Sequence, residues 1–334
     1  MRTRLSVLDL LPLSTTDTTR SAVQAGEAVA VAADRLGYER LWIAEHHNMP
    51  AVAATSPPVM VAHLAARTDR IRVGSGGVML PNHPPLVVAE QFALLEAVHP
   101  GRIDLGIGRA PGTDQRTAAA LRGDDPQAVE AFPRHVEEIL GLLEGVLESH
   151  DGTFQLRATP APTSAPPVWW LGSSGYSAQL AGLLGLPFAF AHHFSARNTD
   201  AASALYHDRF RPSAYLDEPE LMICTSAVVA DTADEAERLA VPHLLRMAQM
   251  RLGGRLAPAL TVEEVDEHAW TDAERELVTA LRADTIVDTG DGAVKAVDAL
   301  AERTGAREVM VLPIASGLPH RLRTLELLAG AAGL

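Results

Sequence analysis

One feature limits the folds open to this 334-residue chain more than any other: short apolar runs alternate with helical patterns almost from end to end. Residues 5–10, 40–44, 70–80, 102–107, 168–171, 188–191, 222–229 and 308–313 read as strands. Helical periodicity fills 21–36, 57–67, 86–98, about 136–147, 178–184, 200–206, 233–251, 292–304 and 318–328, with Gly37 as the first stop. Strand–helix alternation implies a parallel sheet with right-handed crossovers. Eight such units favour a closed (β/α)8 TIM barrel over an open doubly wound sheet. The unbroken VMVL run at 309–312 suits a strand buried on both faces. Two stretches exceed the minimal barrel. The Pro/Thr/Ala-rich 152–167 reads as a loop or hairpin, and 253–291 as a helical insertion placed to act as a lid. One elaborated barrel domain over 1–334 is the expectation.

Composition narrows the function. A formal net charge of −14 argues against nucleic acid and against a polybasic membrane anchor. Aromatics make up only 4%, too few for base-stacking platforms. The single cysteine, Cys224, excludes an internal disulfide and any multi-cysteine metal site, so no metal is expected. No targeting segment or apolar run long enough to span a bilayer stands out, which makes the cytoplasm the expected location.

A barrel builds its active site from the loops at the C-terminal ends of its strands, so polar residues after apolar runs become candidates. Glu45-His46-His47 follows LWIA. Adjacent residues there point to opposite sides, so the two histidines make a poor pair for one metal, which counts against a zinc hydrolase. Gly74-Ser75-Gly76-Gly77 lies inside the third strand and suggests a bulge, a strained peptide, a flat ligand against the backbone, or simple close packing. Arg109, in GIGRAPG, is an arginine among small neighbours at the fourth strand end. It suits an anionic group or plain solvent exposure. Gly172-Ser173-Ser174-Gly175-Tyr176-Ser177 opens a helix, where free N–H groups and the dipole favour a phosphate and where hydroxyls also serve as caps. His192 and His193 end the sixth strand and either line the substrate side or are satisfied barrel histidines.

In this order, LGYERLWIAEHHNMP at 36–50, IRVGSGGVMLPNHPPLVVAEQFALLEAVHPGRIDLGIGRAPG at 71–112 and PPVWWLGSSGYSAQLAGLLGLPFAFAHHF at 166–194 resemble the bacterial luciferase-like flavin monooxygenases. The resemblance implies a (β/α)8 barrel with a long insertion near strand seven, and FMN or reduced FMN as ligand. It puts a non-proline cis peptide at Gly76–Gly77 under the flavin. Phosphate contacts fall on Arg109, Ser173 and Ser174, with Gly175 and Tyr176 as backbone or ring partners. It gives His46 the proton transfer, with Glu45 beside it, and assumes an imidazole titrating near neutrality. Where bacterial luciferase has a cysteine near the flavin, this chain has Gly108.

The implied chemistry is oxygenation of a small organic substrate by reduced FMN and O2 through a C4a-peroxyflavin. Natural-product (polyketide-type, antibiotic) intermediates and aldehydes or ketones are the classes such relatives use. No dinucleotide fingerprint is present, so a separate flavin reductase is the expected source of electrons. Relatives often form homodimers through the helices at 57–67 and 86–98. The alternatives within the same resemblance are an F420-dependent hydride-transfer enzyme and a non-catalytic FMN-binding flavoprotein.

Overall fold

In the computed structural model, which describes residues 3–110, 112–122, 129–148, 155–162, 164–254 and 257–334, eight strands of a nine-stranded sheet close the barrel. They are β1 (Arg4–Asp9), β2 (Arg40–Ile43), β3 (Arg72–Met79), β4 (Ile103–Gly108), β5 (Val168–Gly172), β6 (Phe188–Ala191), β7 (Leu221–Val229) and β8 (Glu308–Pro313). Each pairs in parallel with its sequence neighbours; β6 pairs with β7 and β8 returns to β1, which closes the barrel. The (β/α)8 expectation holds. Side-chain parity divides the core in two. Val7, Leu41, Ile43 and Val73 face outward into the layer of surrounding helices, while Leu8, Trp42, Trp169, Cys224 and Met310 face inward.

The floor of the barrel is ionic. Arg40 opens β2 and sits 5% exposed between two fully buried acids, donating to Asp104 Oδ2 at 2.8 Å and to Glu308 Oε1 at 2.7 Å. Arg72 adds a second bond to Asp104 at 2.7 Å, and the Trp42 indole N–H a third at 3.0 Å. The Arg40 guanidinium also lies 5.0 Å from the Trp169 ring. All these charges come from the first residues of their strands, so they seal one end and leave the opposite end for chemistry.

Element boundaries differ from expectation where small residues decide them. The helix expected at about 136–147 runs Phe132–Leu143, because Pro133 fits the first turn and Gly145, at φ 118°, cannot continue it. The helix expected from 178 starts at Gly175. Two-residue strands Leu147–Glu148 and Gln155–Leu156 pair antiparallel at the start of the 152–167 stretch, whose positions 152–154 and 163 lie outside the described residues. The 253–291 stretch carries helices Val262–Asp266 and Asp272–Ala283, then strand Ile286–Asp288, which pairs with the end of β7. Both helices start from capping boxes, Thr261 with Glu264 and Thr271 with Glu274.

Candidate active site

The β2 end sets the first group of side chains. His46 keeps the inward parity of Trp42 and Ala44 and lines a cavity of about 590 Å³ at the barrel mouth. Glu45 turns the other way. Its Oε1 accepts the Nε2–H of His47 and of His83, both at 2.8 Å, and its Oε2 accepts the Met79 N–H at 3.0 Å. Burial alone would raise this carboxyl, but the bonds from His83, His47 and Met79 hold it below the ordinary carboxylate range. Ligand-type atoms of Glu45, His47 and His83 all lie within 4.8 Å of one another.

His46 differs from its expected chemistry. Burial, reinforced by the nearby Arg246 charge, pushes its pKa down to about 4, so the ring is neutral at pH 7 rather than half-charged. Its Nδ1 is buried and meets no partner among the described residues.

Across the cavity, the peptide Gly76–Gly77 is cis, and the β3–β4 register shifts between Ser75 and Val78. Neither glycine has room for a side chain. A Cβ on Gly76 would come within 2.8 Å of Leu8 and 2.9 Å of Trp42, and one on Gly77 within 2.7 Å of the Gly106 carbonyl. The wall beside them is apolar, with Leu8, Trp42, Leu171 and Phe190 among its residues.

The β5 end supplies an anion cradle. Ser174 caps helix Gly175–Leu183, accepting from the Ser177 N–H, so the first N–H groups of the helix stay free. Gly172 allows the helix to start this close to the strand, since a Cβ there would lie 2.2 Å from that of Ser177. Ser173, Ser174 and Arg109 all line the cavity. The Arg109 guanidinium lies 4.6 Å from the centre of the half-exposed Tyr176 ring, which orients it.

The cavity thus unites His46, Gly76, Arg109, Ser173, Ser174 and His193. Glu45, Gly77, Gly175, Tyr176 and His192 stand behind or beside its lining. The Nδ1–H of His193 donates to the Cys224 carbonyl at 3.0 Å, leaving its Nε2 as the acceptor. Burial pushes its pKa down to about 4. His192 bonds Thr199 at 2.7 Å and borders a side chamber instead.

Sequence reasoning missed two residues of that chamber. His243 and Arg246 lie one turn apart on helix Ala233–Arg251, after the internal Pro242. The HxxR spacing behind a proline, in a stretch read simply as amphipathic helix, was the available signal.

The cavity fits a flavin mononucleotide in shape and donor set. Gly76 bares backbone at the cavity wall, the apolar wall suits a ring system, and the cationic helix start suits a phosphate. Residues 3–308 match the family model described as luciferase-like monooxygenase. The chain belongs to this family. It is 40% identical to the Escherichia coli K12 luciferase-like monooxygenase, over 96% of this chain and 95% of the relative. It is 43% identical to Bacillus subtilis YvbT, over 98% and 96%. The crystal structure of apo-MsnO8 superposes with a TM-score of 0.87 at 33% identity, covering 99% of both chains. Among luciferase-like monooxygenases, then, this barrel carries the Glu-His-His strand end, the Gly-Gly cis peptide and the arginine–serine cradle together.

Proposed function

We propose that this protein is an FMN-dependent monooxygenase that oxygenates a small organic substrate, taking reduced flavin from a separate cytoplasmic reductase. The observation that carries the reading is the joining, in one apolar cavity, of bare backbone at Gly76, an arginine–serine cradle and a buried neutral histidine. A Baeyer–Villiger monooxygenase from Pseudomonas putida, 18% identical and of the same fold at a TM-score of 0.74, is a complex with FMN.

When bound, reduced FMN supplies activation and transfer of oxygen. The chain's own residues do the rest. Arg109 and the free N–H groups ahead of Ser177 hold the phosphate against the −14 charge of the whole molecule. Leu8, Trp42, Leu171 and Phe190 exclude water. His46 lines the cavity with a neutral ring and takes a proton only as negative charge develops beside it.

The test is to mix the protein anaerobically with reduced FMN and then admit O2. Stoichiometric binding, followed by slower reoxidation than in free flavin, is expected. Binding of F420 in preference to FMN would overturn the reading in favour of hydride transfer. Binding without substrate-dependent O2 uptake would favour a non-catalytic flavoprotein.

The working unit in this reading is a homodimer of single-domain chains. Large apolar side chains stand exposed on helices Pro57–Ala65 (Val59, 65%) and Pro85–Val98 (Val98, 61%; Leu94, 52%). Sedimentation of the Val59→Asp/Leu94→Asp variant should give a monomer where the native protein gives a dimer.

A further inference from the structure

Arg246 is a cation without a counter-ion. Among the described residues its side chain makes no ion pair, and its polar contacts are two thioethers, Met250 Sδ at 3.2 Å and Met247 Sδ at 3.7 Å. The two fully buried arginines are paired, Arg40 with Asp104 and Glu308, and Arg321 with Asp9 at 2.7 Å, whereas Arg246 is part-buried. Of the acids lining the cavities beside Arg246, Asp17 and Asp284 are exposed and Asp9 is paired with Arg321. A guanidinium stays protonated under all ordinary conditions, and drawing it even partly out of water without an anion has a cost.

The position of Arg246 indicates where the anion comes from. Arg246 lines two side chambers of about 60 and 210 Å³, which meet at Leu10, His243, Arg246 and Leu312. The smaller chamber shares Leu10, His46, His193 and Phe194 with the main cavity, so the two imidazoles form the partition between cavity and cation. Burial keeps His46, His193 and His243 neutral, and they neither compete with Arg246 for an anion nor supply one. The chamber sets the Arg246 charge among Leu244, Met247, Met250 and Leu281, while its second arginine, Arg251, is exposed to solvent.

We propose that Arg246 anchors the carboxylate of the substrate, so that the molecule oxygenated in the main cavity is a small organic acid with an apolar body. This rests on the oxygenase reading above. The carboxylate replaces the missing counter-ion with charge-assisted bonds, and the apolar body reaches past His46 and His193 toward the reacting centre. The flavin phosphate is the other anion in this reading, assigned to Arg109, which lines the main cavity and neither side chamber.

The test uses flavin-free protein and two probes of equal shape, octanoate and octanamide, measured by titration calorimetry. The native protein is expected to bind octanoate about tenfold or more tightly, the effect of one charge-assisted bond. Arg246→Met should abolish the preference while leaving FMN affinity unchanged and the Tm equal or higher, because an uncompensated charge has gone. Arg246→Lys should retain part of the preference, and answers the question if the methionine variant does not fold. Equal affinity of the native protein for the two probes, no affinity for octanoate, or a preference that survives in Arg246→Met overturns the proposal. Weakened FMN binding in Arg246→Met also overturns it, by placing the flavin against this arginine. Failure of the oxygenase reading would appear separately, as absent O2 uptake by native protein with reduced FMN.

Discussion

Glu45 and His46 are adjacent in the chain and serve opposite sides of the barrel wall: the carboxylate binds His83 at 2.8 Å behind the cavity, and the imidazole faces into it. Their substitutions should therefore fail differently. His46→Ala is expected to bind FMN and unfold like the native protein, but to lose about 100-fold to 10,000-fold in turnover, the range for a positioned proton-transfer group. Glu45→Gln is expected to lower stability by about 1–3 kcal/mol through its bonds to His47, His83 and the Met79 N–H. Steady-state oxygenation beside thermal unfolding separates the two, and equal profiles would refute the division.

Arg109 stands at the anion cradle, with the Tyr176 ring 4.6 Å from its guanidinium. Arg109→Ala should weaken FMN by about tenfold or more while leaving the unfolding midpoint unchanged, since one charge-assisted contact to a ligand is lost and no buried partner is stranded. Fluorescence quenching of FMN measures the constant, and an unaltered value would remove Arg109 from the site.

Arg40→Met addresses the barrel floor. It leaves Asp104 and Glu308 buried without their shared cation, and breaking such a pair typically costs about 3–5 kcal/mol. The expected result is a marked fall in Tm or loss of soluble protein. A triple variant that also makes Asp104 and Glu308 apolar should recover much of that stability.

Acid should destabilise the fold well before its carboxylates titrate. His46 and His193 are pushed down to about 4 and His243 to about 3, from an ordinary value of 6.5. Below pH 6.5 the unfolded chain binds protons that the native chain refuses, so the stability present above that pH is lost as pH falls toward 4. The slope is at most about 1.4 kcal/mol per pH unit for each histidine. Glu45, whose pKa is lowered, adds its own loss below about 4.5. Tm measured from pH 7.5 to 4.5 should show the decline, and His243→Asn should make it shallower.

The barrel was legible in the sequence for a local reason, whereas the roles given to the mouth residues came from the resemblance. Strand parity is a two-residue rule, so it separates His46 from His47 without any knowledge of the fold. Three glycines in one strand demand an account wherever they occur, and the register shift at Ser75–Val78 is that account. The ionic floor was not legible. Arg40, Asp104 and Glu308 lie far apart in the chain, and each follows a turn where a charged residue passes for solvent-exposed. Arg246 was hidden in the same way, since on helix 233–251 it occupies a place where a surface arginine would look identical. Only closure of the barrel brings His46, His193 and His243 around it.

The charged floor has a consequence for how this chain can change over generations. Because Arg40, Arg72, Asp104 and Glu308 hold the strands in register from below, little of the frame's strength depends on the loops above. Exposed positions of the 253–291 insertion, away from the buried Val262, Leu281 and Val287, can be rebuilt in the laboratory. New substrates can be explored at the rim while the foundation keeps the barrel standing.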